Sequence, residues 1–110
     1  MINKLRYLIR KGFSRGMENN DIDINTLNKK YKQGAILIDV RSPQEYKEGH
    51  LKGAILIPEY EIKNRIEKDL ENKEKEIIVY CSSGTRSKNA QKILIQLGYK
   101  KVFNLYQGIE

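Results

Sequence analysis

Residues 77–87 are the most informative part of the sequence and read Ile77-Ile78-Val79-Tyr80-Cys81-Ser82-Ser83-Gly84-Thr85-Arg86-Ser87. It begins with an apolar run of strand length, continues as a loop of small residues, and leads into a segment with apolar residues at helical spacing. Strands that are apolar throughout are typical of parallel sheets covered on both faces. Because open α/β sheets bind ligands beyond the carboxyl ends of their strands, we expect Cys81 at a functional edge.

On both sides of this stretch, predicted strands and helices alternate from residue 21 onwards. Strands are predicted at 22–24, 35–40, 54–57, 77–80 and 101–104, and helices at about 25–33, 43–48, 59–70 and 86–97. Asn25 is predicted to cap the first helix and Gly34 to end it. The alternation predicts an α/β domain with a central, mainly parallel sheet of about five strands and helices on both faces.

The positive charge of the chain is concentrated at its start. We expect residues 1–20 to form a basic extension and residues 21–110 to form the domain. Five of the seven net positive charges lie within residues 1–16, which contain no acidic residue: Lys4, Arg6, Arg10, Lys11 and Arg15. The sequence leaves open whether this extension packs on the domain, is disordered, binds an acidic partner or touches anionic lipid.

The rest of the composition narrows the class of protein. The balance of charge outside the extension gives no reason to expect a nucleic-acid surface. No apolar run approaches the roughly 18 residues of a membrane-spanning helix, and no signal-peptide core is present. A single cysteine forms no intramolecular disulfide, which fits a reducing compartment and predicts a cytoplasmic protein.

A lone cysteine is more often an inert apolar residue than a nucleophile, so the functional hypothesis depends on the neighbours of Cys81. The loop 82–87 contains no proline, and Gly84 permits the positive φ that turns successive amides inward as an anion-binding nest. The start of the following helix and Arg86 add positive charge. These features predict a thiolate, because cysteine pKa values fall at such sites.

The loop from Cys81 to Ser87 resembles the active-site loop of the rhodanese family of sulfurtransferases. A second stretch is similar to the early signature of that family: Leu37-Ile38-Asp39-Val40-Arg41-Ser42-Pro43-Gln44-Glu45-Tyr46, followed by Gly49-His50-Leu51-Lys52-Gly53-Ala54. The closing segment from Leu97 to Ile109 also matches, so the resemblance covers about residues 21–110. It implies a rhodanese-like domain of three layers.

The resemblance implies that Cys81 attacks the outer sulfur of a donor such as thiosulfate and carries the sulfur as a persulfide. A thiol or cyanide then accepts it; a protein persulfide is an alternative donor, and no metal or organic cofactor is implied. The donor and the persulfide would be held by Arg86 and the other residues of the loop: Ser82, Ser83, Gly84, Thr85 and Ser87.

Several other residues are expected to support the site. Asp39 and Arg41 lie at the end of a predicted strand near Cys81, where they would either brace the active loop or only form the turn that leads to Pro43. The resemblance implies that His50 is structural. Tyr106 and Gln107 stand where the family commonly has glycines. That departure affects the expected choice of acceptor more than the chemistry.

Two rival functions remain open. Related folds that act on phosphate or arsenate have one more residue between cysteine and arginine, whereas four residues separate Cys81 from Arg86 here. This spacing favours sulfur transfer over a phosphatase or arsenate reductase. A non-catalytic binding module is the other alternative, and the presence of both Cys81 and Arg86 counts against it.

Overall fold

The computed structural model describes residues 20–110; the basic residues of the predicted extension, between positions 4 and 15, lie outside them. The strands are β1 (Asp21–Ile22), β2 (Ile36–Asp39), β3 (Ile55–Leu56), β4 (Glu76–Tyr80) and β5 (Lys101–Leu105). The α-helices are α1 (Ile24–Lys32), α2 (Pro43–Glu48), α3 (Ile62–Asp69) and α4 (Thr85–Gln96), and a 3₁₀ helix spans Glu59–Glu61.

The five strands form one sheet in the order β1-β5-β4-β2-β3, and every neighbouring pair is parallel. The central strand β4 sets Val79 opposite Ile38 of β2 and Ile77 opposite Val102 of β5. Both edge strands have only two residues, which leaves little unpaired backbone for another chain to extend. The predicted α/β fold with a parallel sheet of about five strands is confirmed.

Successive residues of β4 point to opposite faces of the sheet and build two separate cores. Ile77 and Val79 pack in one core with apolar residues of α3 and α4, and Cys81 joins this core at the end of the strand. Ile78 and Tyr80 pack in the other core with Leu27 of α1, against which Tyr46 of α2 also packs. The helices therefore cover both faces, as predicted.

Two of the observed helix boundaries differ from the predicted ones. The first helix begins at Ile24 rather than after Asn25, because the Asp23 carboxylate caps it by accepting from the Thr26 amide at 2.8 Å. The predicted helix 59–70 opens as a 3₁₀ turn before α3. The predicted helix 43–48 is confirmed as α2, which begins with Pro43 behind the Ser42 cap.

No helix among residues 20–110 is both long and apolar enough to cross a membrane.

Candidate active site

Cys81 lies just beyond the carboxyl end of β4, where its sulfur sits under the loop that follows. The residue is 1% exposed. Its Sγ accepts hydrogen bonds from the Gly84 amide at 3.1 Å and the Ser87 amide at 3.4 Å. The Ser87 hydroxyl lies 3.4 Å from the same sulfur. The thiol is thus buried, but hydrogen-bond donors of the loop surround its sulfur.

These donors lower the pKa of the Cys81 thiol. Burial raises the pKa of the Cys81 thiol, but hydrogen bonds from the Ser87 hydroxyl and amide and from the Ser83 and Gly84 amides lower it. The net effect holds the pKa below its usual value. Hydrogen bonds to a charged group favour the charged form, so the loop stabilises a thiolate that its burial alone would suppress.

The curl of the loop depends on Gly84, which has a φ of +98° and forms the N-cap of α4. A β-carbon at this position would lie 2.4 Å from the carbonyl oxygen of Tyr106. Only glycine combines this backbone conformation with so close an approach. The Ser87 hydroxyl also donates to the Gly84 carbonyl at 3.2 Å, which closes the loop onto the first turn of α4.

The last residues of the chain hold the carbonyls of the same loop away from the sulfur. The Ile109 amide donates to the Cys81 carbonyl at 3.1 Å, and the Glu110 amide donates to the Ser82 carbonyl at 2.9 Å. Gly108 makes this contact possible, because a β-carbon there would lie 2.2 Å from the Ser82 carbonyl oxygen. The Cys81 and Ser82 carbonyls therefore point to the closing segment, while the Gly84 and Ser87 amides are directed at Sγ.

Arg86 is held by Glu45, a residue that the sequence analysis did not single out. Its Nη1 and Nη2 donate to the two Glu45 carboxylate oxygens at 2.8 and 3.0 Å. Hydrogen bonds from Arg86 are the main cause that holds the pKa of Glu45 far below its usual range. The pKa of Arg86 is raised, mainly by Glu45 and further by Cys81. The guanidinium is therefore paired mainly with Glu45, and the charge of Cys81 adds a smaller effect.

A sequence signal for Glu45 does exist. Ser42 and Glu45 have the S-x-x-E spacing of a capping box, and both of its hydrogen bonds are present at the start of α2. The spacing predicts the cap but not the ion pair. The pair joins residues 41 positions apart in the chain, and only the packing of α2 beside the loop brings them together.

The remaining loop residues lie at different depths. The Ser82 hydroxyl donates to Glu45 at 3.2 Å, and Ser87 is fully buried. Ser83 and Thr85 have exposed side chains at the surface of the loop. The structure thus directs one loop hydroxyl at the sulfur, that of Ser87, and one at the ion pair.

Asp39 and Arg41 form a buried network behind the loop. The Arg41 guanidinium donates to the Asp39 carboxylate, with the shortest contact at 2.7 Å, and to the Gly49 carbonyl at 2.7 Å. The Tyr80 hydroxyl donates to Asp39 at 2.8 Å and accepts from the Leu51 amide at 3.0 Å. Because Tyr80 directly precedes Cys81, the network fixes the end of β4 from which the loop departs.

His50 lies away from this chemistry. Its ring stacks on Tyr46 with centroids 3.6 Å apart, and its Nδ1 lies 2.8 Å from the Tyr46 carbonyl oxygen. These contacts lie on α2 and the turn that follows it, consistent with the structural role that the resemblance implied.

Comparison with known proteins identifies the class to which this fold and loop belong. The sequence model of the rhodanese-like domain family matches residues 23–110 of this chain. The chain therefore belongs to the rhodanese-like domain family. The family predicted from the sequence is thereby confirmed.

Among curated proteins, thiosulfate sulfurtransferase PspE of Escherichia coli is 43% identical over 61% of this chain and 64% of its own length. The putative sulfur carrier protein YrkF of Bacillus subtilis is 33% identical over 96% of this chain and 59% of its own length. The chain thus spans less than two thirds of both relatives. A protein named sulfurtransferase from Allochromatium vinosum is 34% identical over 82% of this chain and 84% of its own length.

Solved structures show the same fold. A structure described as rhodanese with anions from E. coli superposes with a TM-score of 0.64 at 38% identity, covering 69% of this chain and 88% of that chain. The human single-domain sulfurtransferase TSTD1 superposes with a TM-score of 0.71 at 26% identity, covering 83% of this chain and 91% of that chain.

Proposed function

We propose that this protein is a sulfurtransferase that carries sulfane sulfur as a persulfide on Cys81. The observation that carries the proposal is that hydrogen-bond donors of Ser83, Gly84 and Ser87 surround Sγ and lower the pKa of a buried thiol. A thiolate is the nucleophilic form of cysteine, and the same donors suit the persulfide anion that forms from it. The sulfurtransferase names of two relatives support the same chemistry.

The first step forms one sulfur–sulfur bond and breaks another. The Cys81 thiolate attacks the outer sulfur of thiosulfate, and sulfite leaves with the electron pair of the bond that breaks. The product is a Cys81 persulfide anion, in which the outer sulfur carries the negative charge that the thiolate had. We propose that the amides of residues 82–87 and the Arg86 guanidinium hold the donor and then the persulfide.

The second step returns the enzyme to its starting state. A thiolate acceptor, or cyanide in an assay, attacks the outer sulfur, and the Cys81 thiolate leaves. No electrons are gained or lost overall, and the proposed reaction needs no metal or organic cofactor. A protein persulfide can replace thiosulfate as donor with the same balance.

We also propose a location for the protein, limits for its domain and roles for two residues near Cys81. We propose a cytoplasmic protein whose domain spans residues 21–110, with a basic extension in residues 1–20. Asp39 and Arg41 act as positioning residues, since their network holds the strand that delivers Cys81.

Mass spectrometry tests the proposed function directly. The protein is incubated with thiosulfate, and separately with a low-molecular-weight persulfide, before intact mass and peptide analysis. We expect a gain of one sulfur atom on Cys81 that cyanide or a thiol removes, and no gain in Cys81→Ser. A folded protein that gains no sulfur from either donor would refute the proposal, and hydrolysis of an aryl phosphate lost in Cys81→Ser would replace it with phosphatase chemistry.

A further inference from the structure

The guanidinium of Arg86 is paired with a carboxylate that has a fixed position. Glu45 accepts from both Nη atoms of Arg86, from the Ser82 hydroxyl at 3.2 Å, and from the Ser42 amide and hydroxyl at 3.0 Å each. It also belongs to the capping box of α2, whose first residue is Pro43. Contacts of this number on a helix start hold the carboxylate in place, unlike those of a mobile surface pair.

The pair changes the charge that a reagent meets at the sulfur. Arg86 is the only charged residue within 81–87, and its charge is matched by the Glu45 carboxylate. The next basic residue, Lys88, places its Nζ 2.9 Å from the Asp21 carboxylate. An anion that approaches the thiolate therefore gains less attraction than an unpaired arginine would give it.

We infer that Glu45 is a specificity-determining residue of this site: by neutralising Arg86, it lowers the preference of the Cys81 thiolate for anionic reagents over neutral ones. The inference rests on the proposed function, because it concerns the thiolate that would accept the sulfur. Within that function it disfavours doubly charged donors such as thiosulfate relative to donors of low net charge.

Alkylation of Cys81 tests the inference without requiring sulfur transfer. The rate constants with anionic iodoacetate and neutral iodoacetamide are measured at one pH, and their ratio is compared among variants. The fraction of thiolate affects both rates equally and cancels in the ratio. Iodoacetamide alone reports whether the thiol is reactive, so failure of the proposed function is distinguishable from failure of this inference.

Glu45→Gln keeps a side chain that can cap α2 but removes its charge. We expect the iodoacetate-to-iodoacetamide ratio to rise about three- to tenfold at low salt and the increase to shrink at high salt. The matched control is Glu48→Gln, which removes the same charge at the exposed end of α2, where Glu48 accepts from Gln44. The control should leave the ratio close to that of the wild-type protein.

The double variant separates electrostatics from structure. Arg86→Gln should lower the ratio, and adding Glu45→Gln should raise it again towards the wild-type value, because no unpaired charge remains. This comparison also stands if Glu45→Gln alone folds poorly. Equal ratios in Arg86→Gln and the double variant, or an unchanged ratio in a folded Glu45→Gln protein, would overturn the inference.

Discussion

Ser87 supplies two of the donors that favour ionisation of Cys81, its amide and its hydroxyl. The hydroxyl also donates to the Gly84 carbonyl, and its single proton serves one acceptor at a time. When Cys81 is a thiol, its S–H can donate to Ser87; when it is a thiolate, the hydroxyl can turn and donate to the sulfur. The charge of the sulfur thereby selects the direction of this hydrogen bond.

Removing the Ser87 hydroxyl should raise the pKa of Cys81. Ser87→Ala keeps the amide donor but loses the side-chain hydrogen bond, so less thiolate is present near neutral pH and alkylation there should slow several-fold. The measurement is the pH dependence of iodoacetamide alkylation. Ser83→Ala is the control, because the exposed Ser83 acts on Cys81 through its amide. Superimposable profiles for wild type and Ser87→Ala would contradict the assigned role.

The Glu45 carboxylate should make the free energy of unfolding depend on pH in the acidic range. Because its pKa is lowered in the folded state, the stabilisation is complete above the unfolded-state pKa of about 4.3 and is lost as the pH falls below it. The difference in unfolding free energy between wild type and Glu45→Gln, measured with urea, should therefore shrink below about pH 4.3. Arg86→Gln should weaken the same pH dependence; an unaltered dependence in that variant would rule out the ion pair as its source.

At the scale of elements, the site is the meeting point of a helix start and the closing segment of the chain. Gly84 begins α4 and lies against the Tyr106 carbonyl, and Gly108 lies against the Ser82 carbonyl. Two glycines thus allow the loop and the closing segment to approach closely. The resulting hydrogen bonds occupy the Cys81 and Ser82 carbonyls, while the Gly84 and Ser87 amides donate to the sulfur.

A pair of glycine substitutions isolates this close approach. Gly84 and Gly98 have nearly equal φ values, +98° and +99°, but a β-carbon at Gly98 would meet only Lys73 side-chain atoms, at 3.5 Å or more. Gly98→Ala should cost about 1 kcal/mol through backbone strain. Gly84→Ala should cost about 1–3 kcal/mol more, because it also displaces backbone. Urea unfolding measures both, and equal costs would show that the Tyr106 contact is unimportant.

At the scale of the whole molecule, one buried network connects the ends of the strands at the active edge. Asp39 is fully buried at the end of β2 and accepts from Tyr80 of β4 and from Arg41, which also holds the turn at Gly49. A buried carboxylate is costly unless it is paired and hydrogen-bonded, and here both conditions are met. We therefore expect this network to couple the stability of the domain to the position of Cys81.

Breaking this network should remove a large part of the protein's free energy of unfolding. Asp39→Asn leaves Arg41 without its charged partner and should cost about 3–5 kcal/mol, of a total typically about 5–15 kcal/mol. Glu74→Gln makes the same chemical change in the exposed pair with Lys100 and should cost less than about 1 kcal/mol. Urea unfolding compares the two, and similar costs would show that the buried network does not stabilise the fold.

The sheet and the helices could be predicted from the sequence, which also indicated Cys81 as the candidate nucleophile. Apolar runs such as 77–80 and local signals such as Ser42-Pro43 act over a few residues, so α2 was predicted at its observed limits. The small residues after Cys81 likewise indicated a loop whose amides can surround an anion.

Only the tertiary structure paired Arg86 with Glu45 and brought the closing segment onto the loop carbonyls. These contacts join positions far apart in the chain, and no local spacing encodes them. The charge at the sulfur depends on such contacts, because electrostatic interaction follows distance in space rather than distance in sequence.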